Sequence, residues 1–64
     1  MGRERRGGYV IEWWLGDHYP KHVHVYKDRK LIAKIEVPGL LVLDGVANRR
    51  VLRIVRELIE EGKI

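Results

Sequence analysis

The three histidines of this 64-residue chain lie within one stretch of seven residues. His22 and His24 are separated by a single residue, and His18 precedes them on the other side of a proline. Imidazole binds divalent metals and exchanges protons near neutral pH, so the cluster indicates one of these two chemistries. A third interpretation is structural: His18 caps a turn, and the other two are ordinary half-exposed strand residues.

A metal site is the first of these interpretations. On an extended strand His22 and His24 point to the same face about 7 Å apart, because each residue advances the chain by about 3.3 Å. His18 from the preceding loop would be the third protein ligand, which leaves an open position for water, as in catalytic zinc sites. The cofactor expectation is therefore either none or a divalent ion, zinc or nickel.

Metal-free acid–base catalysis on RNA is the second interpretation. The chain contains no Cys, Ser or Thr, which excludes disulfides, thiol chemistry and acyl-enzyme mechanisms with a hydroxyl nucleophile. RNA supplies its own nucleophile, the 2′-hydroxyl, so one histidine would act as base and the other as acid. A nearby lysine would stabilise charge developing on the phosphate and would lower the pKa of His24. The expected catalytic residues are His22, His24, Tyr26, Lys34 and Glu36.

The elements that position these residues follow from the periodicity of apolar side chains. Alternation predicts strands, and spacings of three and four residues predict a helix that Gly62 ends. The predicted strands are 9–15, 22–27, 30–37 and a short fourth at 40–43, and the predicted helix is about 47–61. We expect an α+β fold, a three- or four-stranded antiparallel meander with one C-terminal helix packed on one face. Residues 1–8 are expected to be a flexible basic arm and residues 9–64 a single domain.

The register between the second and third predicted strands decides whether the histidines are exposed. An even-numbered turn would place them among apolar residues in the core. An odd-numbered turn, Asp28-Arg29-Lys30, would instead set His22 opposite Glu36 and His24 opposite Lys34 on a polar face. We choose the odd turn because it leaves one apolar face for the helix, and we predict that the imidazoles point away from that helix.

The net charge of +4 favours polyanionic partners. Arginines would neutralise phosphates and exposed rings would stack on unpaired bases, so we expect nucleic acid, RNA rather than DNA. The expected contacts are Arg3, Arg5, Arg6, Trp14, Arg49, Arg53 and Arg56. Alternatively, the helix arginines are a solvated face balanced by glutamates, and Trp14 is a contact in a homo-oligomer or with a cognate partner protein. Few thermolabile residues favour a thermophilic source, and without an apolar run of about 20 residues or a signal peptide we expect a cytoplasmic protein and no membrane partner.

The segment 17–25, DHYPKHVHV, resembles the acidic-His-x-Pro-x-His-Val-His-Val signature of a small prokaryotic family, domain of unknown function 4160. The similarity covers roughly residues 11–61, although Lys21 replaces the usual second proline and Trp13-Trp14 replace a Phe-rich strand. Members are considered components of toxin–antitoxin-like gene pairs, which implies a cognate small partner protein. The function expected is a module component that binds or cleaves RNA with the histidine cluster. The alternative is a non-enzymatic oligomeric binding or assembly module, with or without a histidine-bound metal ion.

Overall fold

The structure, a computed structural model, describes residues 2–14 and 21–64. These residues form one antiparallel sheet with the strand order β1-β2-β3-β4-β5, followed by a single helix. The strands are β1 (Gly2–Arg6), β2 (Tyr9–Trp13), β3 (His22–Lys27), β4 (Lys30–Glu36) and β5 (Leu41–Gly45), and the helix is α1 (Arg49–Glu60). The meander and the C-terminal helix are as predicted, but the strand count is five rather than three or four.

The additional strand comes from the segment that was expected to be a basic arm. Gly7 and Gly8 have φ angles of 61° and 85° and form the two-residue turn that pairs Arg6 with Tyr9. Glycine adopts this left-handed conformation without a Cβ clash, so the pair closes a tight hairpin. Since β1 contains no large apolar residue, hydrophobic periodicity could not predict it.

Ion pairs connect β1 to the end of the helix. A nitrogen of the Arg6 guanidinium lies 2.7 Å from a carboxylate oxygen of Glu61, and Lys63 Nζ lies 2.9 Å from a carboxylate oxygen of Glu4. Arg6 also contacts Glu4 directly. These pairs hold the outermost strand against the C-terminal end of α1.

The hairpin between β3 and β4 has the predicted pairs but not the predicted turn. Its turn contains two residues, Asp28 and Arg29, both with positive φ, and it would by itself give the even register. Ile32 is an extra residue in β4, because Tyr26 pairs with Leu31 whereas Val25 pairs with Ala33. This β-bulge changes the register by one residue, so His24 opposes Lys34 and His22 opposes Glu36, as predicted.

The core lies between one face of the sheet and α1. Val23 and Val25 of β3 are completely buried there, as are Val55 and Leu58 of α1. The buried residues of α1 are Val51, Ile54, Val55 and Leu58. Asn48 caps the first turn of the helix, where its side chain accepts a hydrogen bond from Val51 N at 2.8 Å, and Gly62, with a φ of 77°, follows the C-terminal end. Within the described residues, no helix has the length and hydropathy needed to cross a bilayer.

Candidate functional site

The histidines lie on the face of the sheet that α1 does not cover, which we call the open face. Along β3, His22, His24 and Tyr26 are partly exposed, and they alternate with Val23 and Val25, which are buried under the helix. The prediction that the imidazoles point away from the helix is therefore confirmed. The alternation of β3 and the bulge in β4 together produce this arrangement.

Four aromatic rings on the open face form a continuous group, which we call the ring row: Trp14, His22, His24 and Tyr26. His24 is at its centre, with ring centroids 4.7 Å from Trp14, 5.1 Å from His22 and 6.4 Å from Tyr26. The Trp14 ring meets His24 edge-on, and 40% of Trp14 is exposed. These distances are those of aromatic pairs in contact, so the row is a single, partly exposed surface.

Charged side chains surround His24 in the neighbouring strands. Glu12 of β2 and Lys34 of β4 lie directly opposite it. Burial lowers the pKa of His24 below its usual 6.5, and the charges of His22 and Lys34 lower it further, while Glu12 raises it. The predicted effect of Lys34 is confirmed in direction, although burial is the larger cause. These effects favour the neutral form of His24, which can accept a proton.

The structure brings together all the residues predicted to be catalytic. Lys34 and Glu36 of β4 lie opposite the two histidines of β3, on the open face, and Tyr26 lies next to His24. The five residues thus occupy two adjacent strands on one surface.

The residues predicted to bind nucleic acid are divided between the two sides of the sheet. Arg3 and Arg5 are exposed on the open face, as is Trp14. Arg6 points to the helix side, where it is engaged with Glu61. The helix arginines line a separate shallow hollow on that side with two leucines, and the complete lining is Leu40, Arg49, Leu52, Arg53 and Arg56. The seven residues therefore do not form one basic surface.

The predicted metal site depends on His18, which lies outside the described residues. Within the residues that are described, no group of three or more His, Cys, Asp or Glu side chains could hold a metal ion. His22 and His24 alone are two nitrogen ligands on one strand. The metal site stays a prediction.

A hollow on the open face contains residues that the sequence did not indicate. It has a volume of about 780 Å³ and lies at the end of the ring row, beside Tyr26. We call it the arginine hollow; it is lined by Arg3, Arg5, Gly8, Val10, Glu12, Tyr26, Asp28 and Arg29. The sequence indicates Arg29 only as a turn residue, and it does not place Glu12 opposite His24 because that position depends on the β2–β3 register. The alternation of β2, which buries Ile11 and Trp13 and leaves Glu12 on the other face, is the signal that could have identified Glu12.

Comparison with known proteins places the chain in a family without assigning an activity. Residues 8–63 match the family described as Domain of unknown function (DUF4160). The match includes β2 to β5 and α1, and with them the ring row. No curated protein and no solved structure matches the chain significantly. The resemblance seen in the histidine motif is thus confirmed, and the chain belongs to the DUF4160 family.

Proposed function

We propose that this protein binds single-stranded RNA on its open face, as the RNA-directed component of a toxin–antitoxin-like module. The observation that carries the proposal is the ring row, four adjacent rings on a sheet face that no other described element covers. Unpaired bases stack on exposed aromatic side chains, and a sheet with rings on adjacent strands can stack two or three of them. Duplex RNA keeps its bases inside the helix and cannot use such a row.

The charges near the ring row support the same function. Arg3 and Arg5 lie on β1 at one side of the row, and Lys34 lies at the other. Guanidinium and ammonium groups neutralise phosphates, while the rings provide contacts that do not depend on base identity. Glu12 and Glu36 on the same face would be unfavourable beside a continuous phosphate track. The expected ligand is therefore a short stretch of bases rather than a long groove-bound strand.

Removing the largest ring tests the proposal. Trp14→Ala should weaken binding of a labelled single-stranded RNA oligonucleotide about 5- to 150-fold, because one stacked base is worth about 1–3 kcal/mol. Trp14→Phe should retain most of the affinity. Fluorescence anisotropy measures both, with a duplex of the same sequence as competitor.

The matched control is Leu41→Ala, which shortens another exposed apolar side chain on the open face without removing a ring. Its affinity should equal that of the unmodified protein. Absence of binding by the unmodified protein, or equal losses in Trp14→Ala and Leu41→Ala, would rule out the ring row as the binding surface.

RNA cleavage is a second candidate function, which the lowered pKa of His24 favours. In this reaction neutral His24 takes the proton of the 2′-hydroxyl, the 2′-oxygen bonds to phosphorus, and the bond to the 5′-oxygen breaks. His22, with its ring 5.1 Å away, donates a proton to that oxygen. The products are a 2′,3′-cyclic phosphate and a 5′-hydroxyl. Gel analysis should show cleavage that His24→Ala abolishes and that 2′-deoxy substrate resists; intact RNA after prolonged incubation would leave binding as the function.

A further inference from the structure

The arginine hollow lies at the Tyr26 end of the ring row, where a strand stacked on the row would end. It is bordered by two hairpin turns, the one at Gly8 and the one at Asp28-Arg29, so the sheet does not extend beyond it. Tyr26 belongs to both features, since its ring is 6.4 Å from His24 and also lines the hollow. A base that stacks on Tyr26 therefore has its phosphate within reach of the hollow.

The charges of the hollow suit an anion. Three arginines line it, against two carboxylates, and Arg3 is 3.5 Å from Glu12. Among the residues that the structure describes, neither Arg5 nor Arg29 is in an ion pair. These two guanidiniums come from β1 and from the β3–β4 turn, on different sides of the hollow, so they can approach one phosphate from two directions.

We infer that the arginine hollow binds the terminal phosphomonoester of the RNA strand whose bases stack on the ring row. This inference rests on the proposed function. A phosphomonoester carries between one and two negative charges at pH 7, and an internal phosphodiester carries one, so the two guanidiniums outside ion pairs within the described residues, Arg5 and Arg29, favour a strand end. The hollow holds the end group, and the adjacent Tyr26 stacks on the terminal base.

The experiment compares single-stranded RNAs of one sequence that differ only at their ends. Unlabelled strands with a 5′-phosphate, with a 3′-phosphate, or with hydroxyls at both ends compete with an internally labelled strand. One of the two phosphorylated strands should bind about tenfold more tightly than the hydroxyl-ended strand. This is the effect expected when a terminal phosphate accepts charge-assisted hydrogen bonds from the arginines. A nucleoside monophosphate alone should compete far more weakly, because it does not reach the rest of the row.

Arg29→Gln should abolish the preference for the phosphorylated end. The matched control is Arg49→Gln, which removes an arginine from the hollow on the helix side, where no ring lies beside it. That variant should keep the full preference.

The outcomes separate this inference from the proposed function. Equal binding of all three strands, or a preference that survives Arg29→Gln, would overturn the inference and leave RNA binding by the ring row in place. A nucleoside monophosphate that competes as well as the strand would also overturn it. Failure of every strand to bind, whatever its ends, would overturn both proposals.

Discussion

The environment of His24 makes the stability of the fold depend on pH. Burial and the charges of His22 and Lys34 lower its pKa from 6.5, so the folded protein binds this proton less readily than the unfolded chain does. Between the lowered pKa and 6.5 the unfolded state therefore carries more protons. The free energy of unfolding should decrease as the pH falls through this window, and the loss from His24 should level off below the folded-state pKa.

Urea unfolding at a series of pH values between about 8 and about 5 measures this effect. His24→Gln should flatten the decrease, and Lys34→Gln should reduce it in part by removing one cause of the shift. Lys30→Gln is the matched control, since it removes a lysine of the same strand that does not act on His24. If the free energy of unfolding of His24→Gln has the same pH dependence as that of the unmodified protein, the shifted pKa of His24 does not contribute to stability.

The sequence correctly predicted which residues lie on the open face where the alternation within one strand determines the answer. The alternation of His22, His24 and Tyr26 with two valines requires the three rings to share a face once the valines are buried. Glu12 and Arg29 could not be assigned in this way. Their positions depend on how β2, β3 and the turns meet in space, and no local pattern encodes that.

At the scale of elements, the two hairpin turns explain most of the difference between prediction and structure. Both are two-residue turns with positive φ, but one contains Gly7-Gly8 and the other Asp28-Arg29. The glycine pair was present as a hairpin signal, yet the strand before it is entirely polar or glycine and was predicted to be an arm. The bulge at Ile32 has no comparable signal, because it follows from fitting the register to the core.

Arg29 is a non-glycine residue in a left-handed conformation, with a φ of 66°. Arg29→Gly should therefore raise the free energy of unfolding by about 0.5–1 kcal/mol, because glycine has no Cβ to clash in this conformation and two-residue hairpin turns favour it. Urea unfolding checks the value. Lys30→Gly is the control: this residue is the first of β4, where glycine should destabilise the strand. Equal destabilisation by both substitutions would mean that the turn conformation is not strained.

At the scale of the whole molecule, the positive charge is divided between two opposite sides. Arg5 lies on the open face, whereas Arg53 lies on the exposed side of α1. If RNA binds the open face, Arg5→Gln should reduce the slope of log K against log salt by about 0.7, the value for one phosphate contact on a single strand. Arg53→Gln, which removes the same charge from the other side, should leave the slope unchanged. Binding titrations between about 50 and about 200 mM salt measure this slope. Equal changes of slope in the two variants would show that RNA binding depends on the total charge of the protein rather than on the open face.

Exposed apolar side chains lie on β5, at the edge of the sheet, and on the residue that follows it. Leu41, Leu43 and Val46 are exposed to 58%, 41% and 79%. Among the described strands β5 pairs only with β4, so within that part of the chain no strand pairs with its other edge. Such an edge is a template for pairing with another strand, and a second copy can supply it by a two-fold arrangement. We expect the chain to form a homodimer in which two β5 strands pair antiparallel.

Pairing at β5 would join two sheets edge to edge and leave both open faces exposed, so dimerisation and RNA binding are compatible. Leu43→Lys should shift the molecule to a monomer, because it places a charge in the middle of the paired edge. Leu31→Lys is the matched control, since Leu31 is similarly exposed at 45% but belongs to β4, which is internal to the sheet. Sedimentation velocity over a range of protein concentrations distinguishes the states. A protein that stays monomeric at every concentration, or a dimer that Leu43→Lys does not weaken, would exclude β5 as the interface.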